Sequence, residues 1–275
     1  MKRCAVILSG FLRDEANLVN LKTFLTKNAK EYSIDFFIYT YDVIGLKTKA
    51  SKKDFTTTKI DKETFKPITD SEAEVFFKLE PFDKIQSFVN DFIKSNDLVN
   101  TVKCKAVSQG VETSRVPTSI DWELNKMLSQ FYMNWLNIQE IKNSGKKYDI
   151  IIKSRLDLNH HLLPKIPAKV EEGGFYGKSW KWISKKENNY NTRTKEDSFP
   201  FIYDHYFVLN YNDMPSLERA YSLESLRDRY KDGRWVKGHQ LSCELNQSVA
   251  LFMEGGIKNF NAYNCRVNIN RDSKW

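Results

Sequence analysis

Residues 147–158 read KYDIIIKSRLDL, and this run determines how the rest of the chain can be arranged. Its apolar, β-branched centre is too short for a helix and lies between Ser144-Gly145 and a polar segment, a pattern typical of a buried strand in a parallel sheet. In open α/β sheets ligands bind beyond the carboxyl ends of the strands, so Arg155 and Asp157 are predicted to lie at a binding site. The alternative is an ordinary Arg/Asp surface pair that closes the strand.

The beginning of the chain predicts a βαβ unit. Residues 4–8 (CAVIL) and 34–41 (IDFFIYTY) have the composition of buried strands, and apolar residues at helical spacing lie between them. A right-handed crossover places the two strands side by side.

The turn after the first strand carries groups that suit phosphate. Gly10 lets the backbone approach a ligand, Ser9 offers a hydroxyl and Arg13 a forked donor, although the turn is neither a G-x-G-x-x-G nor a Walker motif. Tyr41 ends the second strand and can stack on a base; the alternative is an aromatic rim.

A long helix is predicted over 119–143, ending at Ser144-Gly145 and leading into the central strand. Gln130 lies off its apolar stripe and faces either a ligand or water. Residues 45–118 have the weakest pattern and are interpreted as an excursion from the sheet, with one helix near 82–93 and short strands. The chain is therefore predicted to form a single domain.

The C-terminal third supplies two further acids. Asp204 lies within an apolar strand predicted over 201–209, where a raised pKa would suit a general base; the alternative is a hydrogen-bonded core aspartate. Glu244 lies near the start of a helix predicted over 239–253, where the helix dipole favours its ionised form. Two more elements are predicted: a helix over 213–230 and a closing strand over 258–270.

Composition narrows the possible partners. The net charge of +8 suits an anionic partner such as a nucleotide, a phosphorylated acceptor or a membrane surface. The lysines are scattered, and no helix-turn-helix, RNP or zinc-finger pattern accompanies them, so no nucleic-acid partner is predicted.

Cysteine and hydropathy patterns indicate the compartment. The four cysteines are far apart, which predicts neither a zinc site nor a redox pair, and without a signal peptide they indicate a reducing, cytoplasmic location. No apolar run reaches membrane-spanning length, so a soluble protein with at most peripheral membrane contact is expected. His160 and His161 follow Asp157 closely, but adjacent histidines rarely point at one ion.

Together the motifs resemble those of glycosyltransferases from bacterial surface-polysaccharide clusters and large DNA viruses. The resemblance covers residues 1–42 and 119–160 and rests on the order of four motifs: SGFLR at 9–13, DFFIYTYD at 35–42, SQFY at 129–132 and YDIIIKSRLD at 148–157. It implies an α/β, GT-A-like fold, a Rossmann-like three-layer sandwich with a mostly parallel central sheet. It also implies transfer of a sugar from a nucleotide-sugar donor to a glycan or other hydroxyl acceptor.

The resemblance further implies a donor site. Arg155-Leu156-Asp157 takes the place of the Asp-x-Asp motif, which binds the donor diphosphate through a divalent cation, Mn or Mg. Asp157 is then the metal ligand, and Arg155 replaces the first acid and can supply positive charge directly. Ser9, Gly10 and Arg13 are expected to bind the donor from the first loop, and His239 or Asp204 can complete a metal site.

The acceptor is expected on the opposite wall, which only the C-terminal third can supply. Asp204 is favoured there as base or acceptor ligand, with Glu244 as the alternative. Two other classes stay open: a nucleotidyltransferase, which usually has a longer glycine-rich first loop, and a non-catalytic carbohydrate-binding protein that uses aromatic residues such as Trp180, Trp182 and Tyr190.

Overall fold

The computed structural model of the chain describes residues 1–12, 15–28, 30–45, 57–69, 74–108, 110, 120–158, 163–184, 198–234 and 241–263.

A seven-stranded sheet forms the centre of the molecule. Its strands in chain order are β1 (Lys2–Gly10), β2 (Tyr32–Tyr41), β5 (Val75–Glu80), β6 (Ile150–Arg155), β7 (Gly174–Ser184), β8 (Ser198–Asn210) and β9 (Asn259–Ala262). Their spatial order is β5-β2-β1-β6-β8-β7-β9. Six strands run in one direction, and β8 alone pairs antiparallel with both of its neighbours. The short strands β3 (Val43–Gly45) and β4 (Thr57–Lys59) form a separate antiparallel pair.

Helices cover both faces of the sheet. They are α1 (Ala16–Asn28), α2 (Lys66–Thr69), α3 (Phe82–Ser95), α4 (Leu98–Ser108), α5 (Ile120–Asn143), α6 (Met214–Tyr221), α7 (Leu223–Asp232) and α8 (Cys243–Ser248), which continues as a π-helical turn, Val249–Glu254. Gly145 follows α5 with φ +65°, the left-handed conformation that ends many helices. None of the described helices is long and apolar enough to span a bilayer.

Alternation along the strands explains the three layers. In β1, Ala5 and Ile7 pack into one core with α3 to α7, whereas Val6 and Leu8 pack into a second core with α1. Because successive side chains of a strand point to opposite faces, a wholly apolar strand needs cover on both sides. This arrangement is the three-layer α/β sandwich predicted from the sequence.

Several predicted elements differ from the structure. Residues 45–118 are not wholly an excursion, because β5 pairs in parallel with β2 and extends the central sheet. This range also holds a second helix, α4. The helix predicted over 213–230 is broken at Ser222, whose extended backbone (ψ 130°) ends α6 and whose hydroxyl caps α7.

Candidate active site

The site lies where β1 and β6 end at the same edge of the sheet. The parallel register pairs Ser9 with Arg155, so the turn after β1 and the end of β6 are neighbours. Tyr41 ends β2 at the same edge, because Gly10 pairs with Thr40. This edge is where open α/β sheets bind their ligands.

Arg155 and Asp157 form a close ion pair at the end of β6. The guanidinium donates from Nε to Oδ1 of Asp157 over 2.8 Å and from an Nη to Oδ2 over 2.7 Å. Two parallel hydrogen bonds of this kind fix the orientation of both the guanidinium and the carboxylate. Asp157, the predicted metal ligand, is 2% exposed, and both of its carboxylate oxygens accept hydrogen bonds from Arg155.

Asp204 and His205 lie on an irregular part of β8 opposite this pair. Between the pairs Gly177–Phe207 and Ser179–Ile202, β7 advances by two residues while β8 advances by five. The surplus residues form a bulge, a feature that re-aims side chains and is common beside active sites. The antiparallel register that joins Ser154 to Tyr206 places the bulge just past the carboxyl end of β6.

Glu244 reaches the same place from the first turn of α8. Ser242 caps this helix by accepting from the Leu245 main-chain nitrogen, and its hydroxyl also lies 3.1 Å from Oε2 of Glu244. One potential ligand atom from each of Asp204, His205 and Glu244 lies within 4.8 Å of the other two. Two carboxylate oxygens and an imidazole nitrogen are a donor set that accepts a divalent transition-metal cation.

Cationic and amide groups surround Asp204. The Lys153 ammonium is fully buried, donates to the main-chain oxygen of Asp204 and lies 3.9 Å from its Oδ2. Arg155 lies at the same distance from Oδ2, and Gln130, on α5, donates to it. Asp204 therefore lies against Arg155, the residue that the sequence assigns to the donor.

The titration of the two acids reverses the sequence-based expectation. Burial alone would raise the pKa of Asp204, but the charges of Lys153 and Arg155, with the Gln130 hydrogen bond, hold that pKa well below its usual range. Burial and the negative charge of Asp204 raise the pKa of Glu244. The apolar strand around Asp204 suggested a raised pKa because the sequence does not show which cations pack against it.

Histidine and lysine titrations follow burial. Burial lowers the pKa of His205 to about 4, so its imidazole is neutral at pH 7. Burial likewise lowers the pKa of Lys153, although Asp204 opposes this change.

The remaining predicted donor residues are integrated into the fold. The Ser9 hydroxyl donates to Asn134 over 2.7 Å, and Gly10 has φ +100° and accepts from Thr40 through its main-chain oxygen. The Tyr41 ring is 3% exposed and packs between Phe11 and Phe82, so stacking on a base would need the ring to be uncovered. Arg13, His160, His161, His239 and Tyr190 lie outside the described residues, as do the side chains of Trp180 and Trp182.

Two residues of the cluster, Lys153 and His205, were not among the predicted site residues. Lys153 interrupts an otherwise apolar strand, and a charged residue inside such a strand must find a partner because an unpaired buried charge is costly. This signal was present in the sequence. His205 was visible beside Asp204, but a regular strand would have pointed it to the opposite face.

The comparisons with known proteins address the fold. No protein-family model matches the sequence, and no curated protein matches it significantly. Among solved structures, the chain is similar to core-mannan synthase A (CmsA/Ktr4) from Aspergillus fumigatus in its Mn/GDP form, with a TM-score of 0.50 and 6% sequence identity. The match covers 96% of this chain and 74% of that chain. The chain thus has the α/β, GT-A-like fold expected from the sequence.

Proposed function

We propose that the protein is a glycosyltransferase that moves a sugar from a nucleotide-sugar donor to a glycan or other hydroxyl acceptor. The observation that carries this proposal is the convergence of Arg155, Asp204 and Glu244 at the carboxyl edge of the sheet in a GT-A-like fold. A fold alone does not fix a function, so the proposal depends on the chemistry of this cluster.

The donor diphosphate is assigned to the edge where the turn after β1 meets Arg155. Glycosyl transfer releases a nucleoside diphosphate, and its developing charge must be neutralised by groups already in position. Arg155 is held by Asp157 with its fork fixed, which supplies such a group without a large entropy loss. Ser9, Gly10 and Arg13 are proposed to bind the same donor, as the resemblance implies.

Asp204 and Glu244 are proposed as the catalytic carboxylates. Asp204 stays ionised because cations surround it, and it anchors the cluster through Gln130 and Lys153. A divalent cation, when bound by donor atoms of this cluster, would add charge neutralisation at the diphosphate. His205 stays neutral and offers a nitrogen lone pair beside the two acids.

The solved neighbour guides the choice of donor. It is described in a Mn/GDP form, so GDP sugars with manganese are the first donors to test. The acceptor is proposed to be a glycan or another molecule with a hydroxyl group, whose oxygen would replace the diphosphate at the sugar carbon.

A binding screen tests the proposal. The purified protein is measured by thermal shift and saturation-transfer NMR against UDP, GDP, CMP and dTDP sugars, with and without Mn²⁺. We expect one nucleotide class to stabilise the fold, by about 2.7 kcal/mol at a hundredfold excess over Kd. Binding of glycans alone, with no nucleotide sugar bound, would favour a carbohydrate-binding protein, and pyrophosphate exchange would favour a nucleotidyltransferase.

A further inference from the structure

We infer that Asp204, His205 and Glu244 bind a divalent transition-metal cation, at a position distinct from the Arg155-Leu156-Asp157 motif. The site itself is argued from geometry, and its role at the donor diphosphate rests on the proposed function. Each of the three residues presents a ligand atom within 4.8 Å of the other two.

The bulge in β8 explains how two adjacent residues serve one site. Asp204 and His205 would face opposite sides of a regular strand. Here β8 carries three residues more than β7 across the bulge interval, and Nε2 of His205 lies 3.3 Å from Oδ1 of Asp204. Lys153 holds the bulge by donating to the main-chain oxygen of Asp204.

The contact between Asp204 and His205 resembles that of two side chains that bind one metal ion, rather than that of a hydrogen-bonded pair. Oδ1 of Asp204 forms no hydrogen bond with any described residue, despite its closeness to Nε2. Nδ1 of His205 also lacks a partner among the described residues. These side chains are only 2% and 9% exposed. Buried polar atoms are rarely left unpartnered, and a shared cation, with water at the other nitrogen, would satisfy both residues.

Charge also favours this position over Asp157. Both oxygens of Asp157 accept from Arg155, whereas among the described residues Gln130 donates only to Oδ2 of Asp204, the oxygen that also lies 3.9 Å from Lys153 and from Arg155. Oδ1 of Asp204 remains for a cation. Arg155 would then lie between the metal site and its own carboxylate partner, and both positive groups could face one diphosphate.

The donor set selects the metal. An imidazole nitrogen with two carboxylate oxygens suits Mn²⁺ or Zn²⁺ better than Mg²⁺, which prefers oxygen ligands and retains its waters. Three protein ligands also leave coordination positions open for water or a phosphate oxygen. We therefore expect Mn²⁺ to bind more tightly than Mg²⁺.

The test is a Mn²⁺ titration of the full chain, without nucleotide sugar, followed by the electron paramagnetic resonance signal of free Mn²⁺. The wild type should bind one equivalent, and excess Mg²⁺ should displace it poorly. Asp204→Asn, His205→Gln and Glu244→Gln should each weaken binding at least about tenfold. Asp228→Asn, in an exposed pair with Arg227, is the matched surface control and should not change the affinity.

Asp157→Asn distinguishes the two positions. It should leave Mn²⁺ affinity within about threefold of wild type, and circular dichroism confirms that each variant is folded. If Asp204→Asn fails to fold, Glu244→Gln, at a residue that is less buried, still decides the matter. No binding by the wild type, or binding lost in Asp157→Asn and kept in Glu244→Gln, would overturn the inference. If the protein binds Mn²⁺ tightly but binds none of the nucleotide sugars in the screen, the metal site is supported and the proposed function is refuted.

Discussion

Arg155 contacts two carboxylates, those of Asp157 and Asp204. Its fork is held by Asp157, and its other side faces Asp204 at 3.9 Å. Removing the guanidinium removes a phosphate donor and also leaves a buried carboxylate without its partner, so binding and stability must be measured separately.

Arg155→Ala should weaken nucleotide-sugar binding by roughly 1.5 to 3 kcal/mol, the scale of charge-assisted hydrogen bonds to phosphate. Arg155→Lys should lose less binding free energy, because lysine keeps the positive charge and lacks only the paired N–H donors of the guanidinium. Calorimetric titration gives the affinities, and Arg227→Ala, which breaks an exposed pair, is the control. Wild-type affinity in Arg155→Ala would reject the donor placement.

Burial and neighbouring charges together set the pKa values of Asp204 and Glu244. Sequence reasoning located Asp204 and Glu244 and predicted a perturbed pKa, but it gave the two acids the opposite directions. The direction depends on Lys153 and Arg155, which approach Asp204 only after β6 and β8 have paired. The sequence shows that a buried Lys153 needs a partner, but it does not show that the partner is Asp204.

At the level of strands and helices, the hydrophobic pattern predicted which strands exist better than it predicted how they pair in the sheet. The strands β1, β2, β6 and β8 were predicted because each contains an apolar run. The edge strand β5 was missed as part of the sheet because Val75–Glu80 is mostly only partly buried and lies in a polar region. The bulge in β8 depends on its register against β7, so no pattern within β8 alone predicts it.

The outer edge of the sheet offers a pH-dependent prediction. Glu80 ends β5 and accepts from the Tyr39 hydroxyl over 2.9 Å and from Lys84 over 2.8 Å. Burial would raise the pKa of Glu80, but the bonds from Lys84, Tyr39 and Lys78 lower it overall. A carboxyl whose pKa is lower in the folded state stabilises the fold above its unfolded pKa and loses that contribution as the pH falls through the folded value.

Glu80→Gln should therefore lower the free energy of unfolding at pH 7 by about 1 kcal/mol, a figure reduced because both lysines are largely exposed. The difference from wild type should shrink below about pH 4, the range in which a free glutamate becomes protonated. Urea unfolding at several pH values measures this. Glu63→Gln, in an exposed pair with Lys66, is the control, and a pH-independent difference for Glu80→Gln would contradict the assignment.

The layered architecture of the molecule follows from the composition of its strands and their order in the chain. Apolar strands need cover on both faces, and a βαβ start with a third strand after a long helix leads to an open, mostly parallel sheet. The sequence therefore predicted the architecture. It did not predict that Asp204 would lie beside Arg155, because that contact requires β8 to insert antiparallel between β6 and β7.

Sugar transfer from a nucleotide donor at this cluster must release a nucleoside diphosphate, and this release can be measured. The nucleotide sugar that binds in the screen is incubated with Mn²⁺ and wild type, Asp204→Asn or Glu244→Gln, with water as the acceptor that takes the sugar, and the products are separated by anion-exchange chromatography. The wild type should release diphosphate, and each variant should be slower by at least about a hundredfold, the scale for losing a group that stabilises developing charge. Intact nucleotide sugar with the wild type, or release by both variants at the wild-type rate, would contradict transfer by this cluster.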